Sequence, residues 1–253
     1  MPLNHLVLLT GASRGMGLAM AHQLLRPGHT LVCISRHAST ELAQAASQAG
    51  ATLEQWQQDL SQGEQAAHRL RGWLAAQGPA AFASATLINN AGVIPRIAPL
   101  SASDPADLAN ALRVGLEAPM LLTAAFLGAT EGWAMPRKVL NISSGLGRRA
   151  MASQAAYCAA KAGMDHFTRC VALDEALKPH GARVCSLAPG VIDTDMQRQL
   201  RGTDVAAFPD APNFAHLKTG GQLTSPADAA TRVLAWLERA DFGTHPVADV
   251  RDT

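Results

Sequence analysis

The stretch LVLLTGASRGMG, residues 6–17, decides the fold of this chain. Four apolar residues that suit a buried strand lead directly into a turn with Gly11, Gly15 and Gly17, and a helical pattern follows. Glycine lets a backbone turn tightly and approach a bound pyrophosphate, which then lies at the N-terminus of the helix. A tight turn needs glycine in any case. The motif becomes informative through its place between the first strand and the first helix.

Short apolar runs alternate with longer helical patterns along the rest of the chain. The apolar runs predict strands at 6–9, 30–35, within 51–60, 85–92, 138–143 and 182–189. The helical patterns cover 15–25, 41–50, 63–78, 103–129, 152–178 and 225–238. Runs that are apolar throughout are typical of parallel sheets covered on both faces. The sequence therefore predicts an α/β fold: a single doubly wound, Rossmann-type domain over residues 1–253, with a mostly parallel sheet of about seven strands flanked by helices.

The segment 203–222 interrupts this alternation. It contains the proline-rich piece FPDAPN, residues 208–213, and predicts an irregular excursion. A late insertion beside a nucleotide-binding fold can close over a substrate, so we expect a substrate lid at 193–224. The alternative is a variable surface loop.

The composition argues against several classes of protein. A net charge of +1 and 4% aromatic residues do not favour a nucleic-acid partner. The four cysteines form no CxxC pair and the nine histidines no HExxH motif, so we expect no metal site and a reducing compartment. We found no stretch approaching the length of a membrane span, and the N-terminus lacks signal-peptide features. We expect a cytoplasmic protein that binds neither membrane nor nucleic acid.

The end of the second predicted strand bears on the choice of dinucleotide. An acidic residue at this place accepts a hydrogen bond from the ribose of NAD, whereas a 2′-phosphate calls for a cation. The chain has Ser35-Arg36 here and no carboxylate until Glu41. Arg14, inside the glycine turn, can reach the same phosphate. Both arginines could also be ordinary solvated charges, but their position favours NADP(H).

The only tyrosine of the chain, Tyr157, stands four residues before Lys161, which places both side chains on one face of a helix. A nearby cation favours the phenolate and so makes the phenol a better acid. Reduction of a carbonyl needs such an acid, and a hydroxyl of Ser143 or Ser144 can hold the carbonyl oxygen. A half-buried tyrosine beside a surface lysine is the structural alternative. The nucleotide-binding start and the absence of other tyrosines favour catalysis.

Taken together, these motifs resemble the short-chain dehydrogenase/reductase family. The matching pieces are TGASRGMG (10–17), Asp59-Leu60, NNAG (89–92), NISS (141–144), YCAAK (157–161) and LAPGVIDTDM (187–196). They span nearly the whole chain in the order of the family. Ser144 precedes Tyr157 by thirteen residues, the spacing of the family's catalytic serine. The resemblance thus implies the catalytic set Ser144, Tyr157 and Lys161.

The resemblance also implies how NADP(H) is held. Asp59 is expected at the adenine, the 89–92 turn at the adenine ribose, Lys161 at the nicotinamide ribose, and the 189–194 loop at the carboxamide. The full set of expected cofactor residues is Gly11, Ser13, Arg14, Gly15, Met16, Gly17, Arg36, Asp59, Leu60, Asn90, Ala91, Gly92, Tyr157, Lys161, Pro189, Gly190, Val191, Ile192 and Thr194.

Gly115 departs from the family pattern, which usually has an asparagine there that completes a proton relay to the lysine. Three explanations are open: a water or backbone carbonyl replaces the amide, proton supply is slower, or the chain no longer catalyses. We favour a water in the vacated space, because the acid, the serine and the cofactor loops are intact.

A narrower resemblance points to the sepiapterin reductase branch, which includes bacterial reductases of aromatic diketones. It rests on residues 188–201, 217–238 and 242–252. In that branch a near-terminal aspartate anchors the pterin, and Asp249 matches it; an exposed tail acid is the alternative. We therefore expect an NADPH-dependent reductase of a ketone or vicinal diketone, with Ser144, Tyr157 and Asp249 at the substrate. The rivals are a non-catalytic NADPH-binding protein and an NAD-dependent alcohol dehydrogenase. By family analogy, the long alanine-rich helices predict a homodimer or homotetramer.

Overall fold

The structure, a computed structural model, describes residues 4–252. At its centre lies one sheet built from β1 (His5–Thr10), β2 (His29–Ser35), β3 (Thr52–Gln57), β4 (Ser84–Asn89), β5 (Arg137–Ile142), β6 (Arg183–Ala188) and β7 (Val247–Asp249). The strand order is β3-β2-β1-β4-β5-β6-β7, and every neighbouring pair is parallel. The predicted α/β fold is confirmed. The order reverses between β1 and β4, and a crevice opens there at the carboxyl ends of the strands.

Helices cover both faces of this sheet. They are α1 (Gly15–Leu24), α2 (Thr40–Ala49), α3 (Gly63–Ala76), α4 (Pro105–Leu112), α5 (Ala118–Ala129), α6 (Ala155–Ala176), α7 (Asp195–Arg201), α8 (Ala211–Thr219) and α9 (Pro226–Leu237). Val7 and Leu9 of β1 belong to the apolar core shared with α1 and α9, whereas Leu6 and Leu8 belong to the core shared with α3 and α5. Because both faces are buried, the strand is apolar at every position from 6 to 9.

The seventh strand was expected in number but not placed. It is only three residues long, Val247–Asp249, and pairs with β6 so that Asp249 lies opposite Ala188. A run this short carries no readable periodicity, which is why the sequence pattern does not reveal it.

The long helix predicted over 103–129 is interrupted. Asp104 caps α4 by accepting from the amide of Ala106, and a π-helical turn at Arg113–Glu117 separates α4 from α5. Pro119 has no N–H to donate to the carbonyl of Gly115, so regular α-helical bonding cannot continue through this point.

The combined run Pro105–Ala129 also corrects an expectation about length. It spans 25 residues and is long and apolar enough to cross a membrane, with half of its most apolar window buried inside the fold. A core helix of a folded domain passes the same test, and Leu122 and Phe126 on this run are fully buried against the sheet.

The sequence suggested that the segment 203–222 is irregular, but part of it is helical. Residues 211–219 form α8, with Pro212 in its first turn and Gly220 after its end. Proline is compatible with the first turn of a helix, so FPDAPN begins a helix rather than preventing one. The ends of the excursion meet, since Ile192 and Thr224 form a bridge and the Asp193 amide donates to the Thr224 carbonyl at 2.9 Å.

Candidate active site

A cavity of about 510 Å³ opens at the carboxyl edge of the sheet. Its wall contains every residue predicted to belong to the site: Gly11, Ser13, Arg14, Gly15, Met16, Gly17, Arg36, Asp59, Leu60, Asn90, Ala91, Gly92, Ser144, Tyr157, Lys161, Pro189, Gly190, Val191, Ile192, Thr194 and Asp249. The parallel sheet brings them together because each motif follows the carboxyl end of a strand, and these ends share one edge.

The glycine turn after β1 forms one end of the cavity. Gly11 has φ +71°, and a Cβ there would lie 2.8 Å from the Cα of Ala91. A Cβ at Gly17 would collide with the carbonyl oxygen of Gly11. Asn90 locks the contact, since its side-chain amide donates to the Thr10 carbonyl at 3.0 Å. Only glycine fits at both positions, so the backbone stays close to the cavity.

The first turn of α1 faces this space with unused donors. Its N-cap residue, Arg14, makes no side-chain capping bond to the helix amides. Free amides at a helix N-terminus and a backbone without side chains are the features that bind a pyrophosphate. The residues present therefore fit the diphosphate of a dinucleotide.

The two arginines proposed for a 2′-phosphate differ in their surroundings. The Arg14 guanidinium donates to Asp195 Oδ2 at 2.8 Å, across the cavity mouth in α7. Arg36 follows β2 directly, is exposed, and has no hydrogen-bond or ion-pair partner among residues 4–252. Asp59 nearby is exposed and accepts from the Ser61 amide, while Leu60 is buried. Arg36 is thus the cation that is free to meet a phosphate.

Ser144, Tyr157 and Lys161 meet at the middle of the cavity. Ser144 follows β5, and its hydroxyl lies close enough to Tyr157 to lower the pKa of the phenol. Lys161 lies one turn beyond Tyr157 on α6, with its Nζ 5.8 Å from the centre of the tyrosine ring. Lys161 Nζ donates to the Ile142 carbonyl at 2.7 Å, which fixes the otherwise flexible side chain. The arrangement offers a hydroxyl donor, a phenol and an ammonium around one point.

Burial shifts the pKa of both titratable groups. Lys161 is 5% exposed, and burial lowers its pKa to about 8, although the charge of Asp165 opposes this shift. Burial raises the pKa of Tyr157, and the nearby Ser144 hydroxyl offsets part of the rise. We expected the neighbouring cation to lower the tyrosine pKa. In this structure the loss of hydration raises it instead.

A buried carboxylate behind the site was missed in the sequence. Asp165, one turn after Lys161 on α6, accepts at Oδ1 from the hydroxyls of Ser143 and Ser186, both at 2.6 Å. Its Oδ2 accepts from Arg148 Nε at 3.2 Å. Ser143 is therefore committed to this network, while Ser144 contacts Tyr157. The spacing of four residues from Lys161 was the available signal.

Gly115 lies where the π-helical turn comes close to α6. The residue is buried in the π-helical turn, and a Cβ there would lie 3.2 Å from the Cβ of Ala160 on α6. An added side chain would thus meet one atom of α6 closely, and the water expected beside Gly115 stays a prediction. Gly115 allows the two helices to approach closely, next to Lys161.

The end of the cavity away from the glycine turn includes residues that were not predicted as site residues. They come from the loop after β4, the loop after β5, the excursion helices and the C-terminal segment: Ile94, Leu146, Arg149, Met196, Gln197, Leu200, Phe214 and Arg251. Asp249 is 7% exposed, so it is not an ordinary tail acid. Hydrogen bonds from Arg251 lower its pKa. Within residues 4–252 no group of three His, Cys, Asp or Glu side chains is arranged to hold a metal.

Comparison with known proteins agrees with this geometry. The chain is 34% identical over 236 residues to a benzil reductase ((S)-benzoin forming) of Bacillus cereus, covering 93% of this chain and 95% of the relative. It is 34% identical over 246 residues to the sepiapterin reductase of Xenopus tropicalis, covering 92% and 91%. A metagenomic short-chain oxidoreductase solved in complex with NADP shares 28% identity with a TM-score of 0.70, covering 98% of this chain and 96% of that one.

The model of the family described as short chain dehydrogenase matches residues 5–204, which is most of the chain. That range holds the glycine turn, the serine, the tyrosine and the lysine described above. The chain belongs to the short-chain dehydrogenase family.

Proposed function

We propose that this protein reduces a ketone or vicinal diketone, such as a benzil-like or sepiapterin-like carbonyl, to an alcohol with NADPH. The observation that carries the proposal is the meeting of Ser144, Tyr157 and Lys161 in the middle of a cavity whose one end is a glycine cradle. The relatives named benzil reductase and sepiapterin reductase support the substrate class.

When bound, the nicotinamide would supply the hydride. The glycine turn and the first turn of α1 would hold its diphosphate, Arg36 the 2′-phosphate, and the Pro189–Thr194 loop the nicotinamide end. Lys161 Nζ uses one N–H on the Ile142 carbonyl and keeps two for a ribose hydroxyl.

Ser144 and Tyr157 would act on the substrate oxygen. Both hydroxyls line the same cavity, so a carbonyl oxygen that reaches both of them receives two donors at one point. Tyr157 transfers its proton to that oxygen as the carbon is reduced. The Lys161 ammonium, when protonated, stabilises the phenolate that remains.

Replacing Tyr157 by phenylalanine tests this role. The ring and its packing remain, but the proton donor is lost, so we expect kcat for benzil or sepiapterin to fall roughly 100- to 10,000-fold. The consumption of NADPH, followed by its absorbance, measures the rate. NADPH binding should persist in the variant. An enzyme with Tyr157→Phe that keeps the full rate would contradict the mechanism.

The preference for NADPH over NADH is tested at Arg36. Because this guanidinium has no partner among residues 4–252, Arg36→Ala should raise the Kd for NADPH about 10- to 100-fold and leave that for NADH unchanged. Arg14→Ala is the matched control, since Arg14 is already bonded to Asp195 and should contribute less. Equal affinity of the parent protein for both dinucleotides would argue for the NAD-dependent dehydrogenase.

Three further features belong to the proposal. Residues 193–224 act as a substrate lid, supported by the contact between their ends at Ile192 and Thr224 and by the part of the cavity wall that they form.

The protein works in the cytoplasm, in keeping with four free cysteines, of which Cys33 and Cys185 are buried. It assembles as a homodimer or homotetramer, supported by exposed apolar residues on α4, α5 and α6.

A further inference from the structure

The substrate end of the cavity contains a closed ion pair. Arg251 donates from Nε to Asp249 Oδ1 at 2.7 Å and from a terminal nitrogen to Asp249 Oδ2 at 2.6 Å. The Arg251 amide also donates to Oδ1, at 3.0 Å. Both residues line the cavity. The aspartate side chain is 9% exposed and the arginine side chain 66% exposed, so the arginine covers the acid from the open side.

This geometry leaves Asp249 with little capacity for a ligand. A carboxylate offers about four lone pairs, two on each oxygen. Arg251 takes both on Oδ1 and one on Oδ2. A substrate edge with two adjacent N–H donors, as in an aminopyrimidinone, needs one free lone pair on each oxygen. Such an edge cannot bind Asp249 while Arg251 is in place.

Arg251 instead offers donors to the substrate. A guanidinium has five N–H groups, and two are used on Asp249. The remaining three suit an oxygen acceptor such as a second carbonyl. Arg149 is a second source of donors, because it lines the cavity without an ion-pair partner among the described residues. The neighbouring Arg148 is instead directed to Asp165 and the Ala248 carbonyl.

We propose that Arg251 is a specificity-determining residue: it covers Asp249 and thereby selects carbonyl substrates that carry a further acceptor oxygen over substrates that present paired N–H donors. The inference rests on the proposed reductase activity and adds its preference. It places a vicinal diketone ahead of a pterin for this chain.

The test compares benzil, which has acceptors only, with sepiapterin, which has a donor edge. Arg251→Met keeps the aliphatic part of the side chain and leaves at least one free lone pair on each oxygen of Asp249, because only the backbone amide still donates to Oδ1. We expect the ratio of kcat/KM for sepiapterin to that for benzil to rise at least about tenfold, mainly through KM. Assays at pH 8 keep the uncovered carboxylate ionised. Adding Asp249→Asn to the variant should remove the gain, because the amide supplies only one acceptor.

Arg239→Met is the matched control. Arg239 makes the same two-bond contact with Asp241, at 2.8 Å for each bond, but neither residue lines the cavity. This variant should leave the ratio unchanged. Arg251→Lys, which keeps the charge but loses the fork, should give an intermediate ratio and serves if Arg251→Met does not fold.

The outcomes separate this inference from the proposed function. If the parent protein reduces neither carbonyl, the reductase proposal fails, and calorimetric binding of the two compounds to the NADP-loaded protein still measures the preference. If the parent protein is active and Arg251→Met leaves the substrate ratio unchanged, the role of Arg251 is overturned.

Discussion

Lys161 is a buried residue that is hydrogen-bonded to the central sheet and lies close to Tyr157. Its ammonium is anchored on the Ile142 carbonyl at the end of β5, and Asp165 lies one turn further along the same helix. The anchor holds the charge within reach of Tyr157. The loss of hydration that comes with this position brings the lysine pKa to about 8, which makes the group responsive near neutral pH.

This shift predicts a pH-dependent stability. The folded pKa of about 8 lies below the ordinary 10.5, so between these values the unfolded chain binds more protons and the free energy of unfolding rises with pH. The free energy of unfolding of Lys161→Met, compared with that of wild type, should therefore be highest below pH 8. This difference should fall by roughly 3 kcal/mol between pH 8 and about pH 10.5, because the wild-type protein becomes more stable over that range. Urea unfolding of both proteins at pH 7 and pH 10 measures the change.

Lys178→Met provides a control of opposite sign. Hydrogen bonds from Lys178 to Glu175 and Glu131 raise its pKa, so its contribution to stability is present at neutral pH and declines only above the ordinary lysine range. This variant should be less stable than wild type at pH 7. A stability difference between Lys161→Met and wild type that does not vary with pH would contradict the assigned pKa.

At the scale of elements, the contact between the π-helical turn and α6 sets the position of the catalytic helix. Gly115 lies against Ala160, the residue immediately before Lys161. A larger residue on either side would require the π-helical turn or α6 to shift by a few tenths of an ångström, directly beside Lys161. The absence of a side chain at Gly115 thus permits this close approach.

Introducing the family's asparagine at position 115 should therefore lower stability and activity. We expect Gly115→Asn to reduce the free energy of unfolding by about 1–3 kcal/mol, because its Cβ meets Ala160 at 3.2 Å, and to lower kcat across the pH range. Steady-state kinetics from pH 6 to 9 and urea unfolding measure both effects.

The double variant Gly115→Asn/Ala160→Gly is the control for this contact. Removing the Ala160 methyl makes room for the new side chain and should recover much of the activity, despite a cost of about 1 kcal/mol for glycine inside a helix. Full activity and stability in the single variant Gly115→Asn would contradict the importance of the Gly115–Ala160 contact.

The sequence predicted the elements whose signals are local. The β-α alternation and the glycine turn carry their own patterns, so the sheet and the glycine-lined end of the cavity followed from them. Asp249 ends a strand too short to be recognised and Arg251 follows it, while Asp165 acts through Ser143, just after β5, and Ser186 of β6. Such contacts depend on strand order, which no local pattern contains. The π-helical turn likewise results from Pro119 acting on a bond to Gly115.

On the scale of the whole molecule, exposed apolar side chains are concentrated on three neighbouring helices. Leu173 and Leu177, at the end of α6, are 72% and 87% exposed, and Leu112 and Met120 lie at the ends of α4 and α5 that adjoin the π-helical turn. Isolated exposed leucines are common, but several on adjoining helices are typical of a surface that is covered in an assembly.

The proposed assembly is tested on this surface. Leu173→Arg combined with Leu177→Arg places two cations where a symmetric interface would bring them close to their copies, so we expect a shift from dimer or tetramer to monomer in light scattering after gel filtration. Val205→Arg, at another exposed apolar residue, should leave the mass unchanged. A monomeric parent protein, or an unchanged mass in the double variant, would exclude this surface as the interface.

The chain contains one tyrosine, and it is the residue that donates the proton in the proposed reaction. Ionisation of a phenol changes its near-ultraviolet absorbance, whereas the indoles of the four tryptophans do not titrate in the same range. The absorbance of the intact, unlabelled protein therefore reports the protonation state of the catalytic acid alone. A spectrophotometric titration with and without NADP therefore measures how the dinucleotide changes the pKa of Tyr157.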